Sequence, residues 1–308
     1  KPDRRQRQMC IRDRVEGAIS VSDANLLDAT TTGVVTATIA SSSVDTLKTL
    51  TGTNAYTITI AAADATGSTA SELTTISNAT TVAIDASAVT GLASDTAANI
   101  KTLLTAGNDT AQFTGASFGS LATAVVSDTT LSGSDLAGAI DQANTATGGT
   151  GTVFTISAVN TITGSEADFT DLLTDEGKNQ IEITDQALTV NTGEVSVSTA
   201  RALSGTTTGT VTGTITSGTT IAAMLDSSSG LTGTDAYTIT IAAGDAEATA
   251  TDLTALYGKT SVAVDASAVT QITGTVAEAN IVYGAGSSEI TGLGTVSYTH
   301  LRAHETSI

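Results

Sequence analysis

Apolar and polar positions alternate with a period of two in eight short stretches: 34–39 (VVTATI), 56–60 (YTITI), 81–85 (TVAID), 152–157 (TVFTIS), 181–184 (IEIT), 210–215 (TVTGTI), 237–241 (YTITI) and 261–265 (SVAVD). Such alternation in runs rich in Thr, Val and Ile predicts strands. Between them a second period appears, with apolar residues at i, i+3 and i+4: Ile100/Leu103/Leu104, Leu136/Ala139/Ile140, Phe169/Leu172/Leu173, Ile221/Met224/Leu225, Leu253/Leu256/Tyr257 and Ala279/Val282/Tyr283. That spacing marks one face of a short helix. Ser or Thr ahead of it, with an acid in the first turn (Ser71-Glu72, Ser165-Glu166-Ala167-Asp168, Thr251-Asp252), supplies a cap and suits the positive end of the helix dipole. Gly107, Gly177 and Gly258 are placed to close helices. A third phrase, ASAVT at 86–90 and 266–270 with the looser SAVNTIT at 157–163, reads as a sharp corner after a strand.

The pattern repeats on a larger scale. Residues 50–65 (LTGTNAYTITIAAADA) return at 231–246 (LTGTDAYTITIAAGDA), differing only at Asn54/Asp235 and Ala63/Gly244. Residues 81–90 likewise match 261–270, and 19–33 mirror 195–209. The chain is therefore about one and a half copies of a roughly 180-residue block, 15–194 and 195–296, between end segments 1–14 and 297–308. Strands separated by crossovers of a dozen or more residues pair in parallel. The expected fold is thus mainly β: a parallel β-solenoid with coils of about 25 residues and short helices on one side, with tandem β-sandwich modules as the alternative. Residues 105–131 fit the unit worst and are expected to interrupt it.

Composition narrows the function classes. The net charge is −19, from 12 basic and 31 acidic residues. The end segments hold seven of the basic and three of the acidic residues, which leaves five against 28 between them, a net of −23. Such a surface repels nucleic acid and anionic lipid, so no nucleic-acid partner is expected and an arm built on Arg4, Arg5 and Arg7 is disfavoured. No apolar run is long enough for membrane insertion as a helix. Cys10 is the one cysteine, which excludes a disulfide framework. Aromatic residues make up 3%, so methyl groups must fill the interior.

The phrases TTVAIDASAVTGL, SVAVDASAVTQITGTVAEA and SEITGLGTV resemble the Ala/Thr/Ser-rich tandem repeats of giant secreted and cell-surface proteins of aquatic bacteria, of adhesin or surface-layer type. The resemblance covers most of 15–296. It implies an extracellular or cell-surface location and a structural role, and it transfers no site residues. RQMCIRDR and SYTHLRAHET at the two ends resemble translated sequencing-adapter read-through, so 1–14 and 297–308 are expected to be non-native or disordered tails.

Candidate chemistry is sparse. Asp85 and Asp265 sit at equivalent strand ends and are the candidates for calcium, the one cofactor considered, against a simple turn-capping role. Gly148-Gly149-Thr150-Gly151 looks like a phosphate loop but lacks the Lys and precedes a strand. Tyr56 and Tyr237 could stack on sugars or fill the core. Both histidines, His300 and His304, lie in the end segment, so a Ser-His-Asp site is not expected, and no carboxylate pair stands out for glycoside hydrolysis. Asn78 and Asn108 begin glycosylation sequons that chance supplies in a Thr-rich chain. The resulting expectation is a non-enzymatic, passive structural segment of a secreted adhesin or surface filament. Its partners are neighbouring repeats of the same chain, with surface polysaccharide as a further candidate. The alternative is a calcium-dependent or carbohydrate-binding adhesion module.

Overall fold

The computed structural model describes residues 14–115, 117–286, 288–294 and 297–300. The Arg4/Arg5/Arg7 arm, Cys10, His304 and the side chain of His300 lie outside the described residues.

In chain order the first elements are β1 (Arg14–Ile19), α1 (Val21–Thr30), β2 (Thr36–Ile39), α2 (Val44–Leu47), β3 (Ala55–Thr57), α3 (Ala70–Asn78), β4 (Gly91–Asp95), α4 (Ala97–Gly107) and β5 (Thr123–Val126). There follow β6 (Thr130–Ser132), α5 (Gly133–Thr147), β7 (Val153–Thr155), β8 (Thr161–Ser165), α6 (Glu166–Gly177), β9 (Ala187–Thr192), α7 (Val197–Thr206), β10 (Val211–Thr214), α8 (Ile221–Leu225) and β11 (Ala236–Thr238). The last are β12 (Glu247–Thr249), α9 (Ala250–Tyr257), β13 (Val264–Asp265), β14 (Gln271–Gly274), α10 (Val276–Gly284), β15 (Ile290–Thr291) and β16 (Ser297–His300).

Two compact units result. One comprises 1–129, 135–159 and 175–182, and the other 130–134, 160–174 and 183–308. The first contains the sheets β1-β2-β3 and β4-β5-β7; the second contains β11-β10-β9-β8-β6, β12-β14-β16 and β13-β15. Every recorded pairing is parallel, with partners from 19 residues apart (Thr36 and Ala55) to 32 apart (Gly91 and Thr123).

The expected mainly-β class is overturned. The chain is mixed α/β, 36% helical and 24% strand, with ten α-helices among the described residues and small parallel sheets, none closed or solenoid-like. The β-solenoid is therefore wrong for this chain, and the β-sandwich alternative fails with it, since sandwiches are built of antiparallel sheets. The physical reason lies in what alternation records. In both copies the odd-even pattern does sort side chains, with Tyr56, Ile58 and Ile60 no more than 1% exposed and Tyr237, Ile239 and Ile241 no more than 2%. Yet no stretch puts more than four residues into a strand. Residues 81–85 contribute just the isolated bridges Ile84–Phe113 and Asp85–Thr59, and 181–184 form no strand. The connections, in contrast, wind into helices, most of them behind a Ser or Thr whose side chain accepts the N–H of the third helical residue.

That capping is repeated at Ser20, Ser43, Thr69, Thr96, Ser196, Thr220, Thr249 and Thr275. A second acceptor comes from a later repeat. Asp64 Oδ2 accepts from Val44 N–H (3.3 Å), Asp95 Oδ2 from Ser71 N–H (2.7 Å), Asp128 Oδ2 from Ala97 N–H (2.8 Å) and Asp245 Oδ2 from Ile221 N–H (2.8 Å). Each carboxylate satisfies a first-turn donor and faces the positive end of a helix dipole.

Candidate functional site

Asp85 and Asp265 occupy the same local frame in their respective units. Each ends a bridge-paired stretch, and each Oδ1 accepts a backbone N–H two residues on, from Ser87 at 3.0 Å and Ser267 at 2.9 Å. The Ser87 hydroxyl and N–H hold the Asp85 carboxyl below the usual range. Calcium takes six to eight oxygens. Among the described residues no group of three or more His, Cys, Asp or Glu side chains converges as a metal cage would require.

Residues 148–151 turn the chain between α5 and β7, with positive φ at Gly148 (65°), Gly149 (84°) and Gly151 (81°). The loop follows the C-terminal, negative end of α5, the wrong polarity for a phosphate. A hollow of about 400 Å³ beside it is lined by Asn144, Lys178 and Gln180. Its polar groups engage one another: Gln180 Nε2 donates to Asn144 Oδ1 (2.6 Å), and Lys178 Nζ lies 3.3 Å from Asp175 Oδ1.

An open groove of about 770 Å³ runs along α3 and α4, reached by Asn78, Lys101, Thr102, Thr105, Asp109 and Asp135. Lys101 Nζ lies 3.1 Å from Asp135 Oδ1, and both side chains are more than a third exposed, so the pair contributes little. Asn78 is exposed at the end of α3, whereas Asn108 Nδ2 donates to Gln142 O at 3.1 Å. The second copy does not reproduce this groove. Its positions carry Gly258 for Asn78, Asn280 for Lys101, Ile281 for Thr102 and Gly284 for Thr105.

Tyr56 and Tyr237 are fully buried, which leaves no face for a sugar. Their hydroxyls donate to Ala24 O (3.4 Å) and Ala200 O (2.9 Å), equivalent carbonyls of α1 and α7. Burial pushes the Tyr237 phenol well above its ordinary pKa. Around it lies a partly buried Ser/Asp/Tyr cluster. Ser204 Oγ donates to Asp235 Oδ2 and lies 2.8 Å from the Tyr237 hydroxyl, while Asp235 Oδ1 accepts from Val211 N–H at 2.9 Å. Among the described residues no histidine or lysine is recorded against the serine, and the Asp235 carboxylate it meets is engaged on its other oxygen by Val211 N–H, which reads as a helix-to-strand junction rather than an activated nucleophile. Its role is visible in the other copy, where Asn54 Oδ1 accepts from Val35 N–H (2.9 Å) and Nδ2 donates to Asp28 Oδ1 (2.8 Å). Asp28 aligns with Ser204 and Asn54 with Asp235, so each copy keeps one carboxylate and one donor at this partly buried junction. The signal lay in the sequence as one of two differences between 50–65 and 231–246. Its meaning required the partner on the helix.

Among the described residues no helix is long and apolar enough to cross a membrane. No protein-family model, curated protein or solved structure matches the chain.

Proposed function

We propose that the chain is a structural repeat segment of a secreted or cell-surface protein of adhesin or filament type, and not an enzyme. The observation that carries this reading is what the two copies keep and what they let vary. They keep the inward Tyr-x-Ile-x-Ile run, the corner aspartates, the Asp64/Asp245 helix acceptors and a single carboxylate at each partly buried junction. They change the polar residues that reach into the open groove, Asn78, Lys101, Thr102 and Thr105, which become Gly258, Asn280, Ile281 and Gly284. A ligand site would constrain the groove, whereas a scaffold constrains the contacts between repeats.

The test is mechanical. Pulled between its ends, the full chain should resist until well beyond the force that straightens an unfolded polymer, then lengthen. Extension like an unfolded polymer from the lowest forces would refute the reading. The competing reading, a calcium-dependent or carbohydrate-binding adhesion module, draws on the acidity and the groove beside Lys101. Saturable binding on a glycan array, lost on Lys101→Ala, would favour it instead.

A further inference from the structure

The last helix, α10, presents apolar side chains where its counterpart presents buried ones. Aligned on their N-caps, Thr275 and Thr96, Val276 falls on Ala97 and Tyr283 on Leu104. Val276 is 54% and Tyr283 48% exposed, against 1% and 0% for Ala97 and Leu104. Their shared neighbours Val282 and Leu103 are buried in both helices.

What differs is the next repeat. In the first copy α5 lies along α4: Asp135 reaches Lys101 at 3.1 Å, Asn108 donates to Gln142 O at 3.1 Å, and a Cβ on Gly138 would stand 2.6 Å from Lys101 Cε. Asp128, just after β5, accepts from Ala97 N–H at 2.8 Å. Among the described residues no carboxylate accepts from Val276 N–H. The space between α4 and Phe113 is filled by buried Phe118, whose ring centroid is 5.2 Å from that of Phe113. At α10 a hollow of about 270 Å³ opens instead between Tyr283, Ile290 and Leu293, with Ile290 the counterpart of Phe113.

We propose that this face of α10 docks a further repeat of the chain's own kind: β16 already pairs with β14 from Gln271–Ser297 as β5 pairs with β4 from Gly91–Thr123, and the repeat supplies the carboxylate and the helix that follow β5 over residues 127–147. The helix covers Val276 and Tyr283 as α5 covers α4, and the carboxylate accepts from Val276 N–H. The proposal rests on the reading of the chain as a repeat segment and names the partner of that segment.

The test is to continue the chain after His300 with a second run of its own residues 127–194 and to measure amide hydrogen exchange along α10. Exchange over Val276–Gly284 should slow roughly tenfold or more relative to the unextended chain. Tyr283→Leu, which installs the residue of the first copy, should keep the slowing, and Tyr283→Asp should abolish it. Unchanged exchange in α10, or an added run that exchanges as unfolded chain, overturns the proposal. So does concentration-dependent self-association of the unextended chain that Tyr283→Asp blocks, because the occupant is then a second molecule. Saturable glycan binding lost on Lys101→Ala would sink the structural reading while leaving exchange at α10 as it is, so the two readings fall separately.

Discussion

Replacing Asn54 by Asp would place a second carboxylate against Asp28. In the native junction Asn54 is 2% exposed and its Nδ2 donates to Asp28 Oδ1 at 2.8 Å, while Oδ1 accepts from Val35 N–H. The substitution removes a hydrogen bond to a charged group, a loss of about 1.5–3 kcal/mol. It also sets two negative charges together, about 4 kcal/mol at 4 Å and an effective dielectric of 20. Protonation caps the total, because a carboxyl with a pKa near 4 takes up a proton at neutral pH for about 4 kcal/mol. Asn54→Asp should therefore cost about 3–4 kcal/mol at neutral pH. The shared carboxyl then has a folded pKa raised above its unfolded value, so the lost stability returns as pH falls toward that unfolded pKa. Asp28→Ser, which installs the residue of the second copy, should cost about 1 kcal/mol alone and rescue most of the loss when combined. Calorimetry across pH, with hydrogen exchange at Val35 to report the junction itself, supplies the double-mutant cycle. A single mutant that loses under 1 kcal/mol independently of pH, or a double mutant no more stable than Asn54→Asp, would refute the one-carboxylate rule.

Two further outcomes follow from the same geometry. Gly52 and Gly233 are equivalent, with φ of 69° and 72°, but a Cβ on Gly52 meets the Asp28 carboxylate, whereas on Gly233 the nearest atom is Asp235 Oδ2 at 3.8 Å. Gly233→Ala should cost only the left-handed backbone, about 1–2 kcal/mol, and Gly52→Ala measurably more, as urea titrations of the two variants will show. Asp95 is 8% exposed; burial alone would raise its pKa, but bonds from Asn99, Ser71 and Thr96 hold it below the usual range. Its stabilisation is present above the ordinary carboxylate pKa near 4 and is lost as pH falls through the lowered folded value. Melting curves of Asp95→Asn and the parent should differ most at neutral pH and converge in acid.

Much of the helical half was legible. All six i, i+3, i+4 triplets lie in helices, and the strand runs at 34–39, 152–157 and 210–215 contain β2, β7 and β10. Three helices, α1, the single turn α2 and α7, were not. Residues 19–33 and 195–209 matched each other yet gave no helix signal, because Thr, Ser and Gly dilute the apolar face of α1 and α7 and the capping Ser20 and Ser196 look like ordinary loop serines. The fold class failed for a related reason. Thr-rich alternation reports which side chains point inward, as at Ile58 and Ile60, but not how many backbone groups join a ladder, and the connections absorbed more residues than the strands did. The poorly fitting region 105–131 proved to hold the end of α4, the Phe113/Phe118 pair and β5. Its two aromatic residues do there what methyl groups do elsewhere.

The acidity has a structural origin that bears on calcium. Each helix of the repeat presents orphan N–H groups at one end, and Asp64, Asp95, Asp128 and Asp245 answer them. The opposite ends make no matching demand for cations. Backbone bonds such as Thr31 N–H to Leu27 O (3.1 Å) and Thr207 N–H to Leu203 O (3.2 Å) close them, and no basic residue is recorded in the last turn of any described helix. A one-sided requirement repeated along the chain accumulates negative charge without building a cation site. Salt should then stabilise the protein by screening its self-repulsion. At matched ionic strength, calcium and sodium chloride should raise the melting temperature alike, and Asp85→Asn with Asp265→Asn should leave both responses unchanged. A calcium response that exceeds the sodium response and disappears in that double variant would show that the corners hold the ion and that the charge is more than the sum of helix caps.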